Sequence, residues 1–508
     1  MKKTAKSIGF LVTGILSLSC IFGGCAPQGG DSGESAGGGF TVIRFWNGFT
    51  GADGETMDKI VSNFNAAYAD EKIMVVADKL PWDTLFNKIT TTSSNLKTAP
   101  HIVAMSASRI AGMEAKKILL PLEGIEEYLS VSESDYISAA WNGGVLGDVR
   151  YGFPLDVHPT AMYYNKNLIA EEELPSTWDE FLDVCIEKTK DGVYGWTVPS
   201  TMDEFFALCD EIATKNISPL VYGGGQQNAY VTMTPNQWLV QYYGYEYMQN
   251  TFEKYESPEQ YKTTEAGRLK AYQTLARMLK GKTENGANIA LTGSKSFTAQ
   301  AAQREFIKGN AAMVSCGPWF PTEMKSLLKD YPDFEFGYIP LPHINADKKD
   351  VNGNDSSAVN YSLAANLLCV PSTAPHADVA RDFLLSMFTK ESYTTFVKEN
   401  NGVTRPIDVE IDESVLNGFS KAIYDSSAAG KRQGVCVYET SSSPMAINGY
   451  LGLMNFSGGD AYLDIINSQS YEDALKVAAS ASRKDYETAL SFWDSKTNNW
   501  DSKYLGIN

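Results

Sequence analysis

The stretch TVIRFWNGFTGADGETMDKIVSNFNAAYADEKIMVVAD, residues 41–78, changes its hydrophobic period twice. Residues 41–46 are a short apolar run of strand length. Met57, Ile60, Val61, Phe64 and Tyr68 then recur at a spacing near 3.6, on one face of a helix, and residues 72–78 return to a strand-like run. The unit repeats outward. Trp82, Leu85, Phe86 and Ile89 mark a second helix face, HIVAMS at 101–106 a third strand, and a further helix is predicted near 108–117. Strands alternating with helices imply βαβ crossovers, so the chain reads as α/β, with parallel-type sheets flanked by helices.

A second region of the same kind begins after YGFPLDVHPTAMYYNK (151–166). Ser176-Thr177 and Asp203-Glu204 supply the capping chemistry that opens helices. Further helices are predicted near 265–280 and up to Gly309, and strands at AAMVS (311–315) and FEFGYIP (334–340). Residues 343–360 read as a polar loop. After it YSLAANLLCV (361–370) reads as a strand that crosses back, followed by helices; no internal repeat is found.

The amino terminus is a separate element. Lys2, Lys3 and Lys6 precede an apolar run too short for a comfortable membrane span, the pattern of a secretory signal over residues 1–24. It closes on Phe22-Gly23-Gly24-Cys25, which resembles a bacterial lipobox, although Phe22 stands where Leu or Val is commoner; Cys20 is the weaker alternative. Cys25 is thus expected to become the lipid-modified first residue of the mature chain. The Gly/Ser-rich segment that follows, to residue 39, cannot bury a core and reads as a tether.

With 508 residues, 43% hydrophobic and 20% charged, the chain has the composition of a folded protein of two or three domains. Its formal charge of −18 repels a phosphate backbone, which argues against nucleic-acid binding. The four histidines, His101, His158, His343 and His376, form no cluster, so neither a histidine metal centre nor a cofactor is expected. Cys185, Cys209, Cys316, Cys369 and Cys436 read as small buried apolar residues, with a Cys185–Cys209 pair open if their helices are neighbours.

Motifs for chemistry mostly fail. Gly281-Lys282-Thr283 ends like a phosphate loop, but Ala276 stands where its first glycine belongs. Asp350, Asn352 and Asn354 begin like a calcium loop, but Asp355 and Tyr361 occupy its required glycine and final glutamate places. Gly223-Gly224-Gly225 reads as a turn, or as a cradle of backbone N–H groups for an anion. No catalytic residue is nominated.

Aromatic residues, 12% of the chain, concentrate instead at predicted strand ends and helix starts: Trp46-Asn47-Gly48, Trp82-Asp83, Asn236-Gln237-Trp238 and Gly317-Pro318-Trp319. Ligands of open α/β sheets bind beyond the carboxyl ends of the strands, where Trp46, Ser106 and Trp319 are expected. Indole faces suit the C–H faces of sugar rings, and neighbouring Asn, Asp and His suit their hydroxyls.

These residues carry a resemblance. The lipobox signal, the FWNG strand end, YGFPLDVHPTAMYYNKNLI with PSTWDEF after it, and FIKGNAAMVSCGPWFP together resemble the extracellular solute-binding proteins (family 1, sugar-binding) of ATP-driven sugar importers, the maltose-binding-protein class. The resemblance spans nearly the whole mature chain. It implies a class II two-lobe periplasmic-binding-protein fold, hinge-linked, with the ligand cleft between the lobes. The lobes would be 40–156 with about 362–405, and 157–361 with about 406–508. It implies ligand contacts at Trp46, Asn47, Trp82, Asp83, Ser106, Asp156, His158 and Trp319, of which Trp319 matches the family's stacking tryptophan; Asn236 and Trp238 are added from the aromatic pattern alone. His158 falls where maltose binders carry an acidic contact, so maltose specificity does not carry over. The expected protein is a monomeric, lipid-anchored receptor at the extracellular face of the bacterial cytoplasmic membrane, passing a carbohydrate to permease subunits. The alternatives are the same fold with a polyamine or peptide, and a secreted carbohydrate-processing enzyme with a carboxylate pair across its cleft.

Overall fold

The computed structural model describes residues 39–122, 144–168, 199–399, 436–438 and 461–500, apart from breaks inside these spans, the longer ones at 93–98, 226–229 and 248–256. The signal, Cys25, nearly all of the tether, Asp156 and the helix expected at Ser176-Thr177 lie outside the described residues.

The alternation read from residues 41–117 is the one observed: β1 (Thr41–Asn47), α1 (Ala52–Ala67), β2 (Ile73–Lys79), α2 (Trp82–Thr92), β3 (Ile102–Ser106) and α3 (Ile110–Ala115). Five short strands follow, β4 (Val145–Leu146), β5 (Val149–Arg150), β6 (Gly152–Pro154), β7 (His158–Pro159) and β8 (Ala161–Asn165). The next region holds α4 (Met202–Ala213), β9 (Ser218–Val221), α5 (Thr234–Tyr243), α6 (Glu265–Lys280), α7 (Ala299–Ile307), β10 (Ala311–Ser315), the short helices α8 (Phe320–Glu323) and α9 (Lys325–Leu328), and β11 (Phe336–Pro340). The chain continues through β12 (Asn360–Leu363), β13 (Asn366–Cys369), α10 (Ala377–Met387), α11 (Lys390–Glu399), β14 (Cys436–Tyr438), α12 (Ala461–Asn467), α13 (Tyr471–Ser491) and the hairpin of β15 (Trp493–Asp494) with β16 (Asn499–Trp500).

Two sheets organise two lobes. The first has the order β2-β1-β3-β13-β6 and the second β11-β8-β10-β9. β1 pairs parallel with β2 and β3, and β9 with β10, as βαβ connection requires. β13 runs antiparallel to β3 and β6, and β8 antiparallel to β10 and β11. The sheets are therefore mixed where parallel sheets were expected. The physical reason is that β13 and β8 enter from the opposite lobe rather than over a helix of their own.

Those crossings are visible in a third sheet, β14-β12-β7. β7 lies between β6 of the first sheet and β8 of the second, and β12 between β11 of the second and β13 of the first. The single strand expected at 361–370 is thus two strands in two sheets.

Each lobe buries its own apolar face. Phe45, Met57, Phe64, Met105, Phe153 and Phe383 belong to the core of the first sheet. Phe205, Leu220, Trp238, Tyr272, Met313 and Ile465 belong to the larger core of the second, whose other face packs Tyr163, Phe306, Val314 and Phe320. Each such side chain contributes roughly 1.5–3 kcal/mol relative to exposure. Cys209, Cys316 and Cys369 are buried free thiols, so the Cys185–Cys209 pair is not formed.

The cap of α4 is set two residues earlier than Asp203-Glu204 suggests. Thr201 is the N-cap: its hydroxyl accepts from the Glu204 N–H at 3.3 Å, while the Glu204 carboxylate accepts from the N–H groups of Ser200 and Thr201. The polar loop after β11 is tied to α5. Trp238 donates its indole N–H to the Pro342 carbonyl at 3.2 Å, and Gln241 donates to the Leu341 carbonyl while accepting from the Ile344 N–H. His343, 3% exposed, lies against Ser356 and Asn345, and burial pushes its imidazole down to about 4 from an ordinary 6.5.

Candidate ligand-binding site

β1 ends at Trp46-Asn47 and leads into α1, while β10 leads through Gly317 and Trp319 into α8. α1 and α8 approach each other across the two lobes, so both strand ends lie on chain segments that feed one boundary.

At the first end, Trp46 is 3% exposed, packed into the first core. The Lys88 ammonium, carried by α2, sits 4.3 Å from the centre of its ring. Asn47 is fully buried: its side-chain oxygen accepts from the Phe49 N–H at 3.2 Å, and its backbone carbonyl accepts from Leu80 at 2.8 Å. Its amide nitrogen has no hydrogen-bond partner among the described residues. A buried donor left unmade costs about 1–3 kcal/mol, so this group is primed for an acceptor.

The second end is built differently. A Cβ on Gly317 would fall 2.2 Å from two atoms of the Trp319 ring, so the indole lies folded over Gly317 and any side chain there would displace it. The Gly317 carbonyl accepts from the Tyr163 hydroxyl at 3.0 Å, which pins the turn to β8. The half-buried Trp319 ring meets Tyr230 edge to face at 5.0 Å. Tyr230 donates its hydroxyl to Glu323 at 2.8 Å, and Gln303 donates to the other oxygen of Glu323 at 2.6 Å. Burial first, and then the Glu323 charge, push the Tyr230 phenol well above its usual range, which keeps it a neutral donor. One carboxylate, held by two donors, thus braces an aromatic pair.

The remaining candidates divide. Trp238 is fully buried, with its N–H committed, and is a core residue with no free face. Asn236, 7% exposed in the first turn of α5, keeps a side-chain oxygen without a partner among the described residues. Trp82 and Asp83 open α2, Ser106 closes β3 and His158 lies in β7, but their side chains lie outside what is described, as does all of Asp156.

Tyr230, Gln303, Glu323 and Lys88 escaped the sequence reading. Tyr230, Gln303 and Lys88 are distant along the chain from the tryptophan each serves; Glu323 is one helical turn after Trp319, but nothing local marks a lone glutamate there as its brace. The Gly223–Gly225 cradle is also corrected. The N–H groups of Gly224 and Gly225 already donate to Ser294 and Phe297, and a Cβ at Gly223 or Gly225 would meet backbone atoms of Ala299 or Ser296 at 2.7 Å. These glycines permit close packing rather than anion binding. The calcium-like loop is self-satisfied: Asp350 accepts from the N–H groups of Asn352 and Asn354 at 2.8 and 2.9 Å. No cluster of metal-ligating side chains occurs among the described residues.

Residues 59–408 match the family model described as bacterial extracellular solute-binding protein. An arabinooligosaccharide-binding protein of Halalkalibacterium halodurans is 25% identical over 150 residues, 28% of this chain and 33% of that protein. A galactooligosaccharide-binding protein of Bacillus subtilis is 26% identical over 192 residues, 38% of this chain and 42% of that protein. The chain spans less than half the length of these curated relatives in the matched regions. Among solved structures, the GacH receptor of Streptomyces glaucescens, studied unliganded and with acarbose, shares the fold with a TM-score of 0.60 at 16% identity, covering 88% of this chain and 98% of that one.

Proposed function

Because the chain belongs to the family of bacterial extracellular solute-binding proteins, we propose that it is a carbohydrate receptor, binding an oligosaccharide between its lobes and releasing it unchanged to the permease of an ATP-driven importer. The observation that carries this reading is the aromatic pair Trp319–Tyr230 braced by Glu323 and Gln303. A half-buried indole offers a flat apolar surface to a sugar ring, and the partnerless Asn47 amide supplies a donor of the kind that hydroxyls and ring oxygens accept.

The surroundings favour a neutral ligand. Glu323 spends its charge on Tyr230 and Gln303, and Lys88 covers Trp46, so a polyamine finds a cation where it needs a carboxylate. The same commitment leaves Glu323 poorly suited to acid–base work, against the carbohydrate-processing enzyme. We assign the lobes as 40–156 with about 362–405, and 157–361 with about 406–508. Ligand that touches both only when they close shifts the population toward the closed form. We keep as proposed contacts Trp319 and Asn47, which the half-buried ring and the spare amide donor support, and Trp46, Trp82, Asp83, Ser106, Asp156, His158 and Asn236 on their chain positions. Cys25, lipid-modified after removal of residues 1–24, would hold a monomer at the outer face of the cytoplasmic membrane.

The test is a thermal-shift screen against neutral mono- and oligosaccharides, with polyamines and peptides as controls. A ligand present at a hundred times its dissociation constant stabilises the fold by about 2.7 kcal/mol. The reading expects an oligosaccharide to raise the melting temperature and to be recovered intact by chromatography. Consumption of the sugar, or a response confined to polyamines or peptides, contradicts it.

A further inference from the structure

A cavity of about 750 Å³ opens on the second lobe, between the end of α6, the turns from Gly281 to Lys295 and the start of α13. Its lining contains four cationic side chains, Arg277, Lys280, Lys282 and Lys295, and one carboxylate, Glu472. In a chain of formal charge −18 this is a local reversal of sign. None of the four cations has an ion-pair partner among the described residues. Arg277 lies over the Phe206 ring at 3.8 Å, and Lys295 donates to the Asn467 carbonyl at 3.3 Å. Lys280 is half-buried, and its ammonium is held below its usual range by burial first and then by the Lys295 charge.

Helix-terminal electrostatics accounts for part of this. Arg277 and Lys280 lie in the last turn of α6, where cations complement the helix dipole. Lys282 and Lys295 lie beyond the helix, and gathering them onto the same cavity raises mutual repulsion that the single carboxylate of the lining, Glu472, does not balance against four cations. Ser294, Thr292 and Asn288 add neutral polar groups to the lining, and Ser470 caps α13 at the opposite wall. An inorganic ion alone would leave most of such a volume empty; pockets for small organic ligands run from roughly 300 to 1,000 Å³.

We propose that this cavity is a binding site for a polyvalent phosphate anion of small-molecule size, separate from the Trp319 site and independent of the carbohydrate reading. Cavity and candidate site share no residue. Binding would neutralise the unpaired cations and relieve the Lys280–Lys295 repulsion. Because the cations are three lysines and an arginine, two in the last turn of α6 and two on the turns beyond it, they suit several phosphate groups rather than one bidentate carboxylate.

The experiment is isothermal titration of the full chain with inositol hexakisphosphate and with pyrophosphate, at 20 and 200 mM salt. One saturable site is expected, weakening at the higher salt. Affinity should fall at least tenfold in Lys280→Met/Lys295→Met, and also in Lys295→Glu, whose exposed side chain can be exchanged without disturbing a core. Trp319→Ala should leave phosphate binding unchanged. Absence of a saturable site in the wild-type chain, or wild-type affinity in both lysine variants, would overturn the proposal, as would loss of binding in Trp319→Ala.

Discussion

The two lobes share an architecture and differ in what they bury. Around the first sheet the buried polar side chains among the described residues are few: Asn47, Thr56, His101 and Arg150. Around the second they include Asn236, Gln241, Arg268, Gln303, His343 and Ser356; Gln241 and Ser356 donate to backbone carbonyls on neighbouring segments and Gln303 to the Glu323 carboxylate. The strand ends follow suit. Trp46 is held by apolar packing with a cation over its ring, whereas Trp319 is held by a glycine, an edge-on tyrosine and a doubly bonded carboxylate. An apolar core specifies position through volume and tolerates exchange of like for like. A polar interior specifies position through direction, and it fails when one partner is lost or changes charge.

The largest expected effect follows from His343. Its folded pKa of about 4 lies below the ordinary 6.5, so the unfolded chain binds more protons through that window and stability falls as pH drops across it. At 1.36 kcal/mol per pKa unit the full loss is about 3 kcal/mol. Urea titrations at pH 7.5, 5.5 and 4.5 should show a steeper loss in the wild type than in His343→Gln. Equal slopes would place the acid sensitivity elsewhere and erase this difference between the lobes.

Trp319→Ala should weaken oligosaccharide binding by about 2 kcal/mol, the size of a hot-spot residue, roughly thirtyfold. Its melting temperature should change little by comparison, since the ring is only half-buried. Gly317→Ala should cost about 1.4 kcal/mol of affinity, tenfold, because the new methyl group displaces the indole. The double variant should bind no worse than Trp319→Ala alone, the non-additivity expected of one shared element. The smallest effect should be that of Lys88→Met, about 0.5–1 kcal/mol in affinity or stability, as suits a cation over an aromatic ring. If Lys88→Met matched Trp319→Ala in a calorimetric titration, the first lobe would be the dominant contact and the comparison would reverse.

The sequence made the elements legible wherever one period ruled a whole segment. β1, α1, β2, α2 and β3 follow from the alternation of apolar runs with 3.6-spaced faces, because each is amphipathic or wholly buried in its own right. Two features were hidden by tertiary causes. Residues 361–370 read as one strand because nothing in their apolar run records that the strand ending at Leu363 and the strand beginning at Asn366 belong to different sheets. Trp238 looked like a ligand platform because an aromatic after Asn-Gln at a helix start reads alike on either face; only its full burial and its hydrogen bond to the Pro342 carbonyl show it to be core. Trp319 was singled out from its place after a strand, but its brace was not, since Tyr230 and Gln303 come to it from far along the chain.

The central claim is that one sugar touches both strand ends at once. Hydrogen–deuterium exchange of the full chain, with and without a saturating oligosaccharide from the screen, tests it directly. The account predicts new protection in two separate segments, residues 45–50 and 315–323, with the cavity segment 277–295 unchanged. Protection confined to one lobe, or centred on 277–295, would contradict it.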